Sequence, residues 1–188
     1  MKITAEDSLL DTLTLSGAYT AAVVPERLNA EGCVNYYFWV ADADNDKLYK
    51  YDLNGNAIIT CNLPYGSSPS QIAVNGDEDV WVALYDSVSV IKIDGKTGLL
   101  KSSAVPLQPN IDYTSGEYYD VLSGHAGSNS ILPASVDVDK NNYLWVSYNH
   151  PLSGMIYKYN PDGSVKSYLN IRDYVPSEIL ANSDNSAW

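Results

Sequence analysis

Apolar residues fall in short runs separated by glycine-containing turns, and one tryptophan-centred phrase recurs along the chain. In three copies an apolar residue, Trp, Val and a small residue follow one another, at Trp39, Trp81 and Trp145, and a fourth tryptophan is Trp188. The first two tryptophans are 42 positions apart, the middle two 64 and the last two 43. Self-similarity at a fixed period predicts a fold built from equivalent units.

Turn residues divide each unit into four short strands, which we label A to D. Strand B carries Trp, strand C reads apolar-x-Lys-x-Asp or Asn, and a Gly turn leads into strand D. Gly in such turns accepts positive φ at little cost and is typical of hairpins. A proline 12 positions before Trp precedes strand A at Pro69, Pro133 and Pro176. In the second unit we predict strands near 71–75, 80–84, 88–93 and 99–105. No stretch combines a helical period with caps.

Four strands in about 42 residues is the period of a β-propeller blade. The B strands are continuous apolar runs, as expected for sheets that are covered on both faces. We therefore predict an all-β propeller of four-stranded blades, with three full blades and partial blades at both ends. The blades are assigned to residues 25–188, strands of a preceding or closing blade to 1–24, and a loop insert to about 107–132.

The blade that begins at Pro176 is unfinished at its tryptophan, which leaves two interpretations. Residues 8–24 contain two β-like runs around Gly17. They could complete the blade at Pro176 and close a four-blade ring, or they could finish a preceding blade of a longer protein. We expect the longer protein.

Composition excludes several classes of function. Hydrophobic residues make up 45% of the chain, enough for a packed core, so wholesale disorder is excluded. No apolar run approaches the ~18 residues of a membrane helix. Eleven basic residues against 23 acidic ones, a net charge of −12, argue against nucleic acid or an anionic membrane as partner.

Sixteen tyrosines and one phenylalanine give the chain aromatic side chains with a polar end, which can face water or a partner. The N-terminal residues 1–7 lack an apolar signal segment. An acidic chain rich in Tyr and Asn favours a structural protein of a phage virion, such as a tail, fibre or decoration element. An extracellular adhesion propeller is the alternative.

The repeat resembles the blade shared by NHL-type propellers, virginiamycin B (streptogramin) lyases and SMP-30-like lactonases. The residues that carry the resemblance are 69–74, 80–82 and 90–94, which read PSQIAV, VWV and VIKID. Equivalent phrases cover residues 25–188 except for the insert. These residues pack blades together, so the resemblance specifies the fold better than the activity.

The resemblance also implies what an enzyme of these families would need. Streptogramin lyases are expected to use His and Glu with Mg²⁺, and the lactonases Glu, Asn and Asp ligands at the central channel. Neither His125 nor His150 fits the lyase pattern, and Asn75 and Asp137 fit a solvated channel rim equally well. We expect a non-catalytic protein, with a metal-dependent lyase or lactonase as the alternative.

Propeller topology places the B–C and D–A loops, including the insert, on one face. Long loops on a rigid scaffold commonly carry binding residues, and Tyr gives a large contact area at low entropic cost. We expect this face to bind other protein chains of an assembly or a surface glycan. The candidate binding residues are Tyr113, Tyr118, Tyr119, His125, Tyr148 and His150.

Asp42, Asp44 and Asp46 alternate like the opening of a Ca²⁺-binding loop. The pattern then fails, because Lys47 stands where Gly is required and Leu53 where a bidentate Glu is required. We expect a hairpin turn and no cofactor. A Ca²⁺ or Mg²⁺ ion on the three carboxylates is the alternative.

The two cysteines are Cys33, near strand A, and Cys61, on strand D of the same blade. Three strand spacings separate such strands by ~14 Å, whereas a disulfide needs Cα atoms within about 7 Å. Free, buried thiols are therefore predicted.

Overall fold

A computed structural model of the chain describes residues 18–25, 36–87, 89–104, 132–150, 153–172, 176–182 and 186–187. These residues form twelve β-strands. The strands are β1 (Ala18–Pro25), β2 (Tyr36–Asp42), β3 (Lys47–Tyr51), β4 (Ala57–Asn62), β5 (Pro69–Val74), β6 (Val80–Leu84), β7 (Ser89–Ile93), β8 (Leu100–Ala104), β9 (Leu132–Val138), β10 (Leu144–His150), β11 (Ser153–Tyr159) and β12 (Val165–Arg172). Within the described ranges the chain has no helix that is long and apolar enough to cross a membrane.

Consecutive strands pair into three antiparallel sheets, β1–β4, β5–β8 and β9–β12. β1 lies against β5, and β5 lies against β9, so the A strands of successive sheets are neighbours. The second sheet matches the predicted strands to within two residues at each end. The prediction of an all-β propeller with three full four-stranded blades is confirmed.

The first sheet corrects the assignment of residues 18–24 to a preceding or closing blade. β1 pairs with β2, with Ala22 opposite Trp39, so it is strand A of the first sheet. The assignment failed because the blades were taken to begin at residue 25, whereas Pro25 is the last residue of β1. The residue on strand A that pairs with Trp is 17 positions before it in the first sheet but eight positions before it in the second. The spacing of the repeat therefore did not indicate that β1 pairs with β2. Residues 1–17 lie outside the described part of the chain.

The sheets stack through two apolar clusters, and β6 contributes to both. Its Trp81 and Ala83 pack toward the third sheet, while Val80, Val82 and Leu84 pack toward the first. All five residues are buried. The continuous apolar run therefore reflects a sheet with neighbours on both faces, because successive side chains of a strand point to opposite sides.

A lysine on strand C of each of the first two sheets bonds to the next sheet. The Nζ of Lys50 donates to the carbonyl oxygen of Gly95 at 3.0 Å, and the Nζ of Lys92 donates to that of Pro161 at 3.1 Å. Both acceptors lie in the C–D turn of the following sheet. These two hydrogen bonds fix one sheet on the next at equivalent points.

The energetic cost of burying these ammonium groups is offset by nearby tryptophan rings and, for Lys92, by a carboxylate. Lys50 and Lys92 lie opposite Trp39 and Trp81 on the paired strands, with Nζ 5.7 and 5.6 Å from the ring centroids. Lys92 also pairs with the carboxylate of Asp79 at 3.1 Å. Because an unpaired buried charge is costly, the lysines are held in the joint between sheets.

Cys61 in β4 is a free, buried cysteine, as predicted. Burial raises the pKa of its thiol. Cys33 lies outside the described residues, so the expectation for it stays a prediction.

The substitution Lys92→Met tests the inter-sheet bond, because it leaves Asp79 with the half-exposed Lys101 as its cation at 3.0 Å. Loss of one partner of a buried ion pair costs about 3–5 kcal/mol, and since Lys101 remains we expect about 3 kcal/mol. Urea unfolding measures the loss. The exposed Lys96→Met is the control, with a change below about 0.5 kcal/mol. Equal unfolding free energies for the two variants would contradict the role of Lys92.

Candidate functional site

Three described connections meet at one end of the sheets. They are the B–C turn 43–46, the D–A loop 63–68 and the B–C residues 85–87. We call this surface the loop face. Ala104 pairs with Val90 near the start of β7, and Leu132 pairs with Asn149 near the end of β10. Both residues, which flank residues 105–131, therefore lie at the same end.

Asp46 is the centre of the loop face. Its carboxylate accepts hydrogen bonds from the backbone N–H groups of Gly66, Ser67 and Ser68, at 2.7, 2.9 and 2.9 Å. Its own carbonyl accepts from the N–H of Leu63 at 2.9 Å. The three N–H groups converge because Gly66 and Ser68 adopt positive φ of 71° and 46°, which forms a concave anion-binding backbone.

These contacts determine the protonation of Asp46. Partial burial opposes ionisation, but the hydrogen bonds from Ser68, Gly66 and Ser67 outweigh it and lower the pKa of the carboxyl below its ordinary value of 3.8. The stabilisation by Asp46 is thus fully present above that value. It is lost as the pH falls through the lower pKa of the folded protein.

The second sheet holds the same loop from its other side. The N–H of Tyr85 donates to the carbonyl of Ser68 at 3.1 Å, and the N–H of Asp86 donates to that of Ser67 at 3.3 Å. The Ser68 hydroxyl donates to the Asp86 carboxylate. The loop 63–68 is therefore fixed between two turns that belong to different sheets.

Tyr65 lies in this fixed loop with 101% relative exposure, and Tyr85, whose backbone bonds to the loop, is 43% exposed. A rigid loop that presents aromatic side chains to solvent loses little entropy when it binds. Neither tyrosine was among the predicted binding residues, most of which lie in the longest connection, residues 107–132. The available signal was the tripeptide 64–66, Pro-Tyr-Gly, in a D–A loop too short to bury a ring.

The structure removes Tyr148 from the predicted binding residues. Tyr148 lies within β10 and is fully buried, with its hydroxyl 2.9 Å from that of Tyr159. The expectation of a loop position was wrong, because β10 continues to His150 and Tyr148 packs in the cluster between the second and third sheets. Burial also raises the pKa of Tyr148.

The other predicted binding residues are not tested. His150 ends β10, where its backbone pairs with Ser153, and its side chain lies outside the described part of the chain. The remaining four, all in the insert, lie outside the described residues: Tyr113, Tyr118, Tyr119 and His125.

The structure does not bring Asp42, Asp44 and Asp46 together. Asp42 accepts hydrogen bonds from the backbone and side-chain nitrogens of Asn45, at 3.1 and 2.9 Å, whereas Asp46 points to the 66–68 backbone. Asp44 is exposed. Among the described residues, no three His, Cys, Asp or Glu side chains form a group suited to a metal ion. The alternating carboxylates belong to a turn in which Asp46 binds the backbone of residues 66–68.

Comparisons with known proteins show the fold. No protein-family model and no curated protein match the sequence. Virginiamycin B lyase from Staphylococcus aureus matches with a TM-score of 0.57 at 13% identity, over 86% of this chain and 54% of that one. The WD40 β-propeller domain of Doa1 matches with a TM-score of 0.58 at 13% identity, over 90% and 46%.

Kuenenia stuttgartiensis hydrazine synthase matches with a TM-score of 0.62 at 11% identity, over 97% of this chain and 43% of that one. The chain thus spans about half the length of the solved structures it matches. The protein is a β-propeller repeat protein, consistent with the resemblance to streptogramin lyase-like propellers. Identities this low show the fold alone.

Asp46→Asn tests the anchor, because the neutral amide has one acceptor oxygen and turns N–H groups toward the loop. We expect hydrogen exchange at Gly66, Ser67 and Ser68 to accelerate about tenfold, the effect of a charge-assisted hydrogen bond reduced by solvent. NMR exchange rates measure it. The neighbouring Asp44→Asn is the control and should leave the three rates unchanged. Equal rates in both variants would show that Asp46 does not hold the loop.

The pH dependence gives a second test of the same carboxylate. Because the pKa of Asp46 is lowered, protection of the Ser68 amide should stay constant from neutral pH to about pH 5 and disappear only below the ordinary carboxyl value. The measurement is amide exchange corrected for its intrinsic pH dependence. Loss of protection near neutral pH would contradict it.

Proposed function

We propose that this chain is part of a non-catalytic β-propeller whose loop face binds another protein chain or a glycan. The observation that supports it best is the full exposure of Tyr65 on a loop whose backbone is fixed by Asp46 and by the turn at Asp86. Exposed aromatic rings on preorganised loops supply contact area without a large ordering cost.

The charge of this face favours some partners over others. The loop face also carries the exposed Asp44 and the partly exposed Asp86, and the whole chain carries a net charge of −12. Like charges oppose nucleic acid and anionic membranes. A neutral glycan or a basic protein surface is the partner that this face would accept.

The proposed setting is a phage virion, as a tail, fibre or decoration element. Support comes from composition, namely the acidic charge and 16 tyrosines. Mass spectrometry of purified phage particles, made by a phage that encodes the chain, should recover it in a fixed ratio to known particle proteins. Its absence from washed particles would refute the setting and leave the binding proposal to the next experiment.

Tyr65→Ser and Tyr85→Ser test the binding face. Binding is measured against a glycan array and against the isolated proteins of the same particle. Truncation of aromatic residues at the centre of an interface costs about 2 kcal/mol or more, so we expect each variant to weaken a detected interaction about thirtyfold.

The matched control is Tyr36→Ser, because Tyr36 is 42% exposed but begins β2 at the opposite end of the sheet. This variant should bind like the unaltered protein. The proposal fails if neither probe set binds, or if the control weakens binding as much as the loop-face variants.

A further inference from the structure

The sequence contains two Asn-Gly pairs, Asn54-Gly55 and Asn75-Gly76, which the structure places in different surroundings. The first pair lies in the connection between β3 and β4, and the second lies between β5 and β6. Both connections are at the end of the sheets opposite to the loop face. An asparagine followed by glycine is the dipeptide most prone to cyclise, because Gly has no Cβ to shield its own backbone nitrogen.

Asn54 is exposed at the turn between its two strands. Its side-chain amide bonds to the Asp52 carboxylate, as the smallest of the contacts that lower the pKa of that carboxyl. A carboxylate can hold only the NH₂ end of an amide, so the carbonyl carbon of Asn54 stays accessible. The N–H of Gly55, whose nitrogen would attack that carbon, donates to the backbone carbonyl of Asp52 at 3.1 Å.

Asn75 is held far more firmly than Asn54. It is 6% exposed, and its Oδ1 accepts hydrogen bonds from the N–H groups of Asp77 and Asp79, at 3.0 and 2.9 Å. The N–H of Gly76 donates to the Oδ1 of Asn142 at 3.1 Å. The amide of Asn75 can therefore turn toward the Gly76 nitrogen only after three hydrogen bonds at a buried position have opened.

We propose that Asn54 is a site of spontaneous deamidation in the folded protein, whereas the fold protects Asn75. Hydroxide removes the proton of the Gly55 N–H, and the nitrogen then forms a bond to the Cγ of Asn54. The Cγ–Nδ2 bond breaks, and ammonia leaves with a proton from water, so that a five-membered succinimide ring is closed.

Water completes the reaction by opening this ring. It adds to one of the two ring carbonyl carbons and breaks the bond of that carbon to the Gly55 nitrogen, which regains a proton. The product is aspartate or isoaspartate, according to the carbon attacked. In sum, the side-chain amide and one water give a carboxylate and ammonium, so the reaction needs no oxidant and no reductant.

Either product changes the turn that Asp52 organises. The Asp52 carboxylate accepts hydrogen bonds from the N–H groups of Asn54 and Asn56, at 2.9 and 2.8 Å. A new carboxylate at position 54 places a like charge beside it, and isoaspartate adds a carbon to the main chain before Gly55. We expect the β3–β4 connection to loosen. The proposal is independent of the function proposed for the loop face, which lies at the other end of the sheets.

Incubation of the folded protein in mildly alkaline water labelled with heavy oxygen tests the proposal. Peptic digestion in acid and tandem mass spectrometry then locate each converted asparagine, and the label distinguishes conversion during incubation from conversion during digestion. We expect Asn54 to convert about thirtyfold faster than Asn75, the factor expected when two additional hydrogen bonds must open.

The same chain unfolded in urea is the reference, because both Asn-Gly pairs then lack their folded contacts. Their rates should agree within about twofold. Asn56 is the control within the turn, since it is exposed but precedes Ala57, whose Cβ shields the nitrogen. It should stay unconverted while Asn54 reacts. The variant Asn54→Gln should abolish conversion at position 54, because its longer side chain would have to close a six-membered ring.

Equal rates for Asn54 and Asn75 in the folded protein overturn the proposal. It also fails if Asn54 stays unconverted in the folded chain while the chain in urea reacts, or if Asn56 converts as fast as Asn54.

Discussion

The architecture depends on a hydrogen bond between a buried lysine ammonium on one β-sheet and a turn carbonyl of the next sheet. The ammonium lies near a tryptophan ring of its own sheet and donates to a turn carbonyl of the next, as Lys50 and Lys92 do. An ammonium removed from water is costly unless its donors are used. The contact therefore favours one relative placement of the sheets, which apolar packing alone, being non-directional, does not provide.

This placement fixes the loop face. Because the first two sheets are held at a fixed placement, the turn at Asp46 and the turn at Asp86 can both accept hydrogen bonds from the loop 63–68. The exposed Tyr65 is consequently positioned by contacts that lie in two blades. A binding surface built in this way depends on the stacking of blades as much as on its own residues.

Much of the fold could be predicted from the sequence, because tryptophan spacing and glycine turns are local signals that repeat. The position of β1 could not, since its partner in β2 follows a connection longer than the repeat allows. Tyr148 was misplaced because strand and loop residues at a strand end have the same composition, and only its packing against the second sheet distinguishes them. Asp46 was considered only as an alternative metal ligand, because its actual donors, three backbone N–H groups, carry no signature in the sequence.

Lysine-selective NMR of the side-chain ammonium groups measures whether a buried lysine joins neighbouring sheets. We expect the Lys92 ammonium to exchange slowly with water and to show nuclear Overhauser contacts both to the Trp81 indole and to Pro161 of the next sheet. Fast exchange of Lys92, equal to that of the exposed Lys96, with no contact to Pro161, would contradict it.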